Sequence, residues 1–318
     1  MVIRYIPESL ELDLQISYQL LMQRLSMTKH IDCNIRDENG RWRYEKVWFP
    51  DNHFNGASGT QYSLGKFITK GGNGTLFECW SPTGERLAVK FLHQLDTQRR
   101  DRFDFECQIL ADINHPNVLR CIDLGTVETT HYEAIPFMIT HLFRGNLQAE
   151  VETNGKIELT TALQYASQIA EAFEYIHQQG IIHRDIKASN FFLRDDAVVT
   201  GDFGLAKTAT DVGANRYYRP DITTASEFVG PMLWMSPELV KYHSNKNQPV
   251  DHRSDLFQIG LLIWYMLTGE IPRGPLDQDE DPSGGQVHSV VSQLLQNRPE
   301  KRFRSANDLK VALQKVNA

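Results

Sequence analysis

The stretch IIHRDIKASNFFL, residues 181–193, limits what this chain can become more than any other. Ile181-Ile182 and Phe191-Phe192-Leu193 have the composition of short buried strands. Between them stand His183, Arg184, Asp185, Lys187 and Asn190. Those polar groups cannot all enter a core unpaired. They pair with each other or face a cleft, and a loop pinned by two buried strands is a good place for chemistry.

The surrounding pattern is segregated. Residues 8–27 read as a helix with Leu10, Leu14, Tyr18, Leu21 and Leu25 on one face. Asn39-Gly40 has the form of a hairpin turn, and the turn-rich residues 50–61 mark a boundary. From 62 to about 95 strands alternate with turns. A polar helix follows over 96–113, and 117–128 and 135–143 read as two further strands. From 160 onward helices dominate, over 160–179, 251–268, 286–296 and 305–316. A strand-rich half followed by a helix-rich half, joined at 140–147, implies an α+β protein of two lobes with a cleft. The 318 residues, 41% hydrophobic and 23% charged, suffice for that.

Charge and cysteine usage narrow the setting. A net charge of −7 argues against a general nucleic-acid binder. Cys33, Cys79, Cys107 and Cys121 are scattered and form no CxxC pair, which suits free thiols in a reducing compartment. The longest apolar run, Ile259 to Leu267, is too short to span a membrane, and the first residues lack a signal-peptide core. The expectation is a cytoplasmic protein that engages neither membrane nor nucleic acid.

Three further stretches carry chemistry. In TKGGNGTL (69–76), Gly71, Gly72 and Gly74 let the backbone approach a ligand and offer N–H groups to phosphate oxygens, although a glycine-rich hairpin turn alone would look the same. In LAVKFL (87–92), Lys90 lies in an apolar strand, where it needs an anionic partner or a cleft. Glu106, the only Glu between positions 85 and 128, lies on the following helix, and a buried Lys–Glu pair would hold the lysine charged and aimed; a lysine at a sheet edge that reaches solvent would look the same. In TGDFGLAK (200–207), Asp202 joins Asp185 and Asn190 to supply two carboxylates and an amide, oxygen ligands that suit Mg²⁺. One Asp then remains to accept a hydroxyl proton, and Lys187 can neutralise a transferring phosphoryl group. The spacing of His93, His115 and His177 fits no zinc site.

In order, KGGNG, LAVK, HRDIKASN, DFG and SPE resemble the signature of a eukaryotic-type serine/threonine protein kinase, here a stand-alone bacterial member, over residues 62 to about 316. The resemblance implies an N-lobe over 62–140 and a C-lobe over 145–317; it does not reach the extension 1–61, whose apolar helix face is expected to pack on the N-lobe rather than bind a partner. It implies that Gly71, Gly72 and Gly74 cover ATP phosphates and that Lys90, paired with Glu106, holds them. Asp185 would be the catalytic base, Lys187 would contact the γ-phosphate, and Asn190 and Asp202 would bind Mg²⁺, with Mn²⁺ an alternative. Thr140 would be the gatekeeper, His141, Leu142 and Phe143 would line the adenine pocket, and Leu76, Ala88 and Phe192 would sandwich the base. Asp255 would brace the catalytic loop, and Arg302 would pair with Glu238. The acceptor would be a protein hydroxyl.

The chain departs from the pattern at Thr69, which replaces the loop's first glycine, and at Pro231, which replaces a threonine after Gly230. The stretch after TGEIPRGPL is short. A pseudokinase would have lost Lys90, Asp185 or Asp202, and a small-molecule kinase would lack the 37 residues from Asp202 to Glu238. In that segment Thr223, Thr224 and Ser226 are candidates for autophosphorylation, in trans within a homodimer, with Arg184 receiving the phosphate.

Overall fold

The computed structural model describes residues 29–36, 41–49, 52–71, 74–128, 134–208, 232–245 and 247–316, in two compact units. The helix expected over 8–27, the Asn39-Gly40 turn, Gly72, Pro231, Thr223, Thr224 and Ser226 lie outside the described residues.

The first unit holds the described residues up to Arg100 together with Ile122–Leu142. Its elements are β1 (His30–Arg36), β2 (Trp42–Trp48), β3 (His53–Asn55), β4 (Gln61–Lys70), β5 (Gly74–Trp80), β6 (Arg86–Leu92) and β7 (Gln94–Leu95), the start of α1 (Thr97–Asp112), then β8 (Asp123–Val127) and β9 (Ile135–His141). Six strands form an antiparallel sheet in the order β3-β4-β5-β6-β9-β8. The period of two sends Phe77, Val89, Phe91, Phe137 and Ile139 to one face and Leu76, Ala88, Lys90, Met138 and Thr140 to the other.

The first of those faces is an aromatic core completed from outside the sheet. Phe54 meets Phe137 edge-on at 5.0 Å, and Phe49 lies 5.3 Å from Phe91. Both come from the stretch before β4. The β1–β2 hairpin adds a second layer, and β1 pairs in parallel with β7 through Asn34↔Gln94 and Ile35↔Leu95.

The second unit holds Asp101–Cys121 and the described residues from Phe143 onward. It contains β10 (Gly145–Asn146), α2 (Leu147–Asn154), α3 (Leu159–Gln178), β11 (Ile181–Ile182), β12 (Phe191–Arg194), β13 (Ala197–Thr200), β14 (Lys207–Thr208), α4 (Pro237–Ser244), α5 (Arg253–Thr268), α6 (Gln286–Leu294) and α7 (Ala306–Val316). Nearly every residue of α5 is buried, as expected of a helix apolar on all sides. Between α5 and α6 the chain makes only a 3₁₀ turn, Gln278–Glu280. The anticipated Arg302–Glu238 pair forms in the interior, with guanidinium nitrogens 2.6 and 2.9 Å from the two carboxylate oxygens.

Two expectations about elements change. The strand read over 117–128 starts only at Asp123. Residues 117–119 hydrogen-bond to β13 instead: Leu119 N–H donates to Thr200 O at 2.8 Å, and the Asn117 amide to Val198 O at 2.9 Å. The helices α2 and α4 were not foreseen. At eight residues each they are too short for a clear periodicity, yet their caps were legible. Asn146 Oδ1 accepts the Ala149 N–H, and Ser236 Oγ accepts the Leu239 N–H ahead of Pro237. Among the described residues no helix is long and apolar enough to cross a membrane.

Candidate active site

The polar segment between β11 and β12 alternates buried and outward residues. His183, Ile186 and Ala188 are fully buried, while Arg184, Asp185, Lys187 and Ser189 are partly exposed. His183 Nδ1 accepts the Asp185 N–H at 3.3 Å, so its Nε2 carries the proton donated to Gly201 O at 3.1 Å. Its ring lies 4.6 Å from Phe203. This packed histidine ties the loop to the segment that bears Asp202.

Asp255, in the first turn of α5 and wholly buried, holds the loop from below. Its carboxylate accepts the N–H groups of His183 and Arg184, each at 2.9 Å, and lies 2.9 Å from His177 Nε2. Burial alone would raise this carboxyl's pKa. The His177 hydrogen bond and charge, His183 and the Arg184 N–H outweigh burial and hold it below the ordinary value. These bonds also hold Arg184 at φ +68°, where a non-glycine residue is strained. Asp202 likewise has φ +61°.

On this base the functional groups converge. Lys187 Nζ donates to Asp185 Oδ2 at 2.8 Å. Asn190 Nδ2 donates to Asp185 O at 2.8 Å and to Oδ2 at 3.0 Å. Burial pulls the Lys187 pKa down, but the Asp185 and Asp202 charges carry it above the usual lysine value. Its ammonium therefore stays charged between the two carboxylates. With its amide nitrogen committed to Asp185, Asn190 turns Oδ1 to weaker company, the Ser189 hydroxyl at 3.5 Å. That oxygen and the Asp202 carboxylate are hard donors that fit a divalent cation such as Mg²⁺. Among the described residues no group of three or more His, Cys, Asp or Glu side chains gathers as a metal centre. A cation here would complete its shell with water and substrate oxygens.

The other candidate residues divide between the units. In the first, Leu76 faces Lys90 and Ala88 faces Thr140 across the ladder, on one sheet face. Gly71 N–H closes the β4–β5 turn by donating to Gly74 O at 2.9 Å. A Cβ at position 74 would stand 2.8 Å from Phe91 O and 3.2 Å from Lys90 Cγ, so the turn can pass Lys90 only as glycine. His141 ends β9 with Glu85 at 3.7 Å, and Leu142 follows it. In the second unit Phe143 stacks on Phe192 at 5.3 Å, and Glu106 is buried on α1. Tyr242 was not anticipated. Its ring carries the Arg184 guanidinium at 4.6 Å and lies 6.0 Å from Lys207 Nζ.

A carboxylate able to accept a proton, an ammonium beside it and two oxygen ligands for a cation are what phosphoryl transfer requires. Comparison with known proteins agrees. Residues 62–313 match the family model described as protein kinase domain. A probable serine/threonine-protein kinase of Clostridium acetobutylicum is 27% identical over 281 residues, covering 80% of this chain and 40% of that protein. One from Streptomyces coelicolor is 29% identical over 279 residues, with the same coverage of 80% and 40%. Serine/threonine-protein kinase PknB of Mycolicibacterium smegmatis is 27% identical over 238 residues, 68% of this chain and 36% of that protein. The chain thus spans about two fifths of the length of these relatives.

Proposed function

The chain belongs to the protein kinase family, and from that premise we propose that it transfers the γ-phosphate of ATP to serine or threonine hydroxyls of proteins. The observation that carries this reading is the set of Asp185, Lys187 and Asn190 on a loop fixed by Asp255, with the Asp202 charge from the neighbouring segment acting on Lys187. Asp185 accepts the acceptor hydroxyl's proton as the oxygen attacks. Lys187 neutralises charge on the transferring group and, through its bond to Asp185 Oδ2, aims the base. Asn190 and Asp202 hold Mg²⁺, or Mn²⁺ in its place, and the cation supplies the charge neutralisation that the phosphates need. Lys90, for which the family resemblance assigns Glu106 as partner, and the turn at Gly71, Gly72 and Gly74 would hold the phosphates. Leu76, Ala88, Thr140, His141, Leu142, Phe143 and Phe192 receive the adenine.

The same reading extends to regulation and setting. A phosphate on Thr223, Thr224 or Ser226, placed there by a second copy in trans, would find the cations stacked on Tyr242. Among the described residues Arg184 Nε has no hydrogen-bond partner, which supports that role. Residues 1–61 support the strand-rich unit, because Phe49 and Phe54 fill its core. Four free cysteines, three of them buried, suit the reducing cytoplasm.

Incubation with γ-labelled ATP, Mg²⁺ and a generic protein acceptor, followed by phosphoamino-acid analysis, tests the proposal. Phosphoserine or phosphothreonine that disappears in Asp185→Ala is expected. Label mainly on tyrosine, or label undiminished in that variant, would overturn it.

A further inference from the structure

A cavity in the strand-rich unit adjoins the glycine-rich turn, with Lys70 and Thr75 of its lining on either side of residues 71–74. It lies between residues 29–32 and the β4–β5 ladder and measures about 410 Å³, the volume of a small organic ligand. Its floor is apolar at Ile31 and Phe77, both buried, and buried Thr75 adds a hydroxyl 3.3 Å from His93 Nδ1. Phe67 stands at its side, 58% exposed and in a T-shaped contact with Phe77 at 5.6 Å.

Its rim is cationic. Lys29, Lys66 and Lys70 all line it. The ammonium of Lys29 donates to Leu64 O and has further N–H groups to offer, and burial lowers its pKa. The side chains of Lys66 and Lys70 have no carboxylate partner among the described residues. The one lining carboxylate, Asp32, already accepts the Tyr44 hydroxyl at 2.5 Å and lies 3.6 Å from His30 Nε2. Three ammonium groups over an apolar floor leave positive charge unbalanced beside a surface suited to a ring.

We propose that this cavity binds a compact aromatic anion, an aryl ring bearing a single phosphate or carboxylate. The ring lies on Phe67, Phe77 and Ile31, and the anion takes hydrogen bonds from Lys29, Lys66 and Lys70, with the Thr75 hydroxyl at the inner end. Ring and charge are recognised together, since neither the exposed lysines nor the exposed phenylalanine would hold a ligand alone. Site and ligand class are independent of the kinase reading.

The test is calorimetric titration of the full chain with 1-naphthyl phosphate while the nucleotide site is saturated with a non-hydrolysable ATP analogue. Inorganic phosphate and 1-naphthol serve as the anion alone and the ring alone. One-to-one binding of naphthyl phosphate is expected, with each control at least tenfold weaker. Lys66→Ala/Lys70→Ala and, separately, Phe67→Ser should each weaken it about tenfold. All three positions are exposed, so these variants should keep the parent melting temperature. Absence of binding, equal binding of either control, full displacement by the ATP analogue, or unchanged affinity in both variants would overturn the proposal.

Discussion

The Asp255 carboxylate accepts the backbone N–H of Arg184 at 2.9 Å, joining the first turn of the central buried helix to the residue beside the proposed base. Its second oxygen takes the His183 N–H. One side chain therefore fixes the backbone from which Asp185 projects.

Replacing Asp255 by Ala leaves two backbone N–H groups without their acceptor. The expected loss is about 3–5 kcal/mol, with a melting temperature lower by roughly 10 °C for a chain of this size. Turnover should fall as well, because Asp185 loses its aim. The pH dependence has a definite sign. The folded-state pKa lies below the ordinary 3.8, so the carboxylate's stabilisation is complete above 3.8 and is lost as pH falls through the lower folded value. Denaturant melts of wild type and Asp255→Asn should differ above about pH 4 and converge only as pH falls below 3.8. An Asp255→Ala protein melting with the parent would remove the brace.

Asp202→Asn should lower turnover by about 10³-fold or more while barely shifting the melting temperature, since charge neutralisation carries most of phosphoryl transfer. Lys187→Met should do the same to a lesser degree, about 10²-fold. The Lys187 pKa is raised, so its charge is complete below 10.5 and lost only as pH rises through the higher folded value. No limb from Lys187 should appear in a pH–rate profile between 6 and 9.

The glycine-rich turn gives a differential prediction. A methyl group at position 74 meets Phe91 O at 2.8 Å and crowds Lys90, whereas at position 71 the nearest atom is 4.0 Å away. Gly74→Ala should raise KM for ATP by roughly 10- to 100-fold, the scale of a misplacement near 1 Å. Gly71→Ala should stay within about threefold. Initial rates at varied ATP decide, and equal effects of the two substitutions would contradict the steric account.

Phe54→Ala removes a ring that touches both Phe91 and Phe137. Truncation of a buried Phe costs about 3–5 kcal/mol. Urea melts should show it, and a chain starting at Tyr62, lacking Phe49 as well, should not form a stable strand-rich unit. A truncated protein with the parent melting temperature would reassign the preceding segment to another task.

The grouping of Asp185, Lys187 and Asn190 was legible because it is local. His183 through Asn190 lie within one short segment, and Asp202 follows a single hairpin. The long helices α3, α5, α6 and α7 were legible because each carries a buried stripe or is buried all round. The start of β8 was not, because Asn117 and Leu119 are claimed by β13, far along the chain, and the local pattern holds no trace of that competition. Nor could the partnership of Arg184 and Lys207 with Tyr242 be read, since three distant segments meet there. Phe49 and Phe54 looked like residues of a boundary. Only tertiary packing makes them part of the core.

The parallel pairing of β1 with β7 sets an order of assembly. A parallel ladder cannot close through a tight turn, and the chain joining these two strands contains β3, β4, β5 and β6. Closing that long loop rewards the chain only after the intervening strands have met. The β1–β2 hairpin therefore docks late in refolding. The amides of Asn34 and Ile35 should gain hydrogen-exchange protection after those of Val89 and Phe91. In the folded protein they would open first, as a separate low-energy step, when the strand-rich unit begins to unfold.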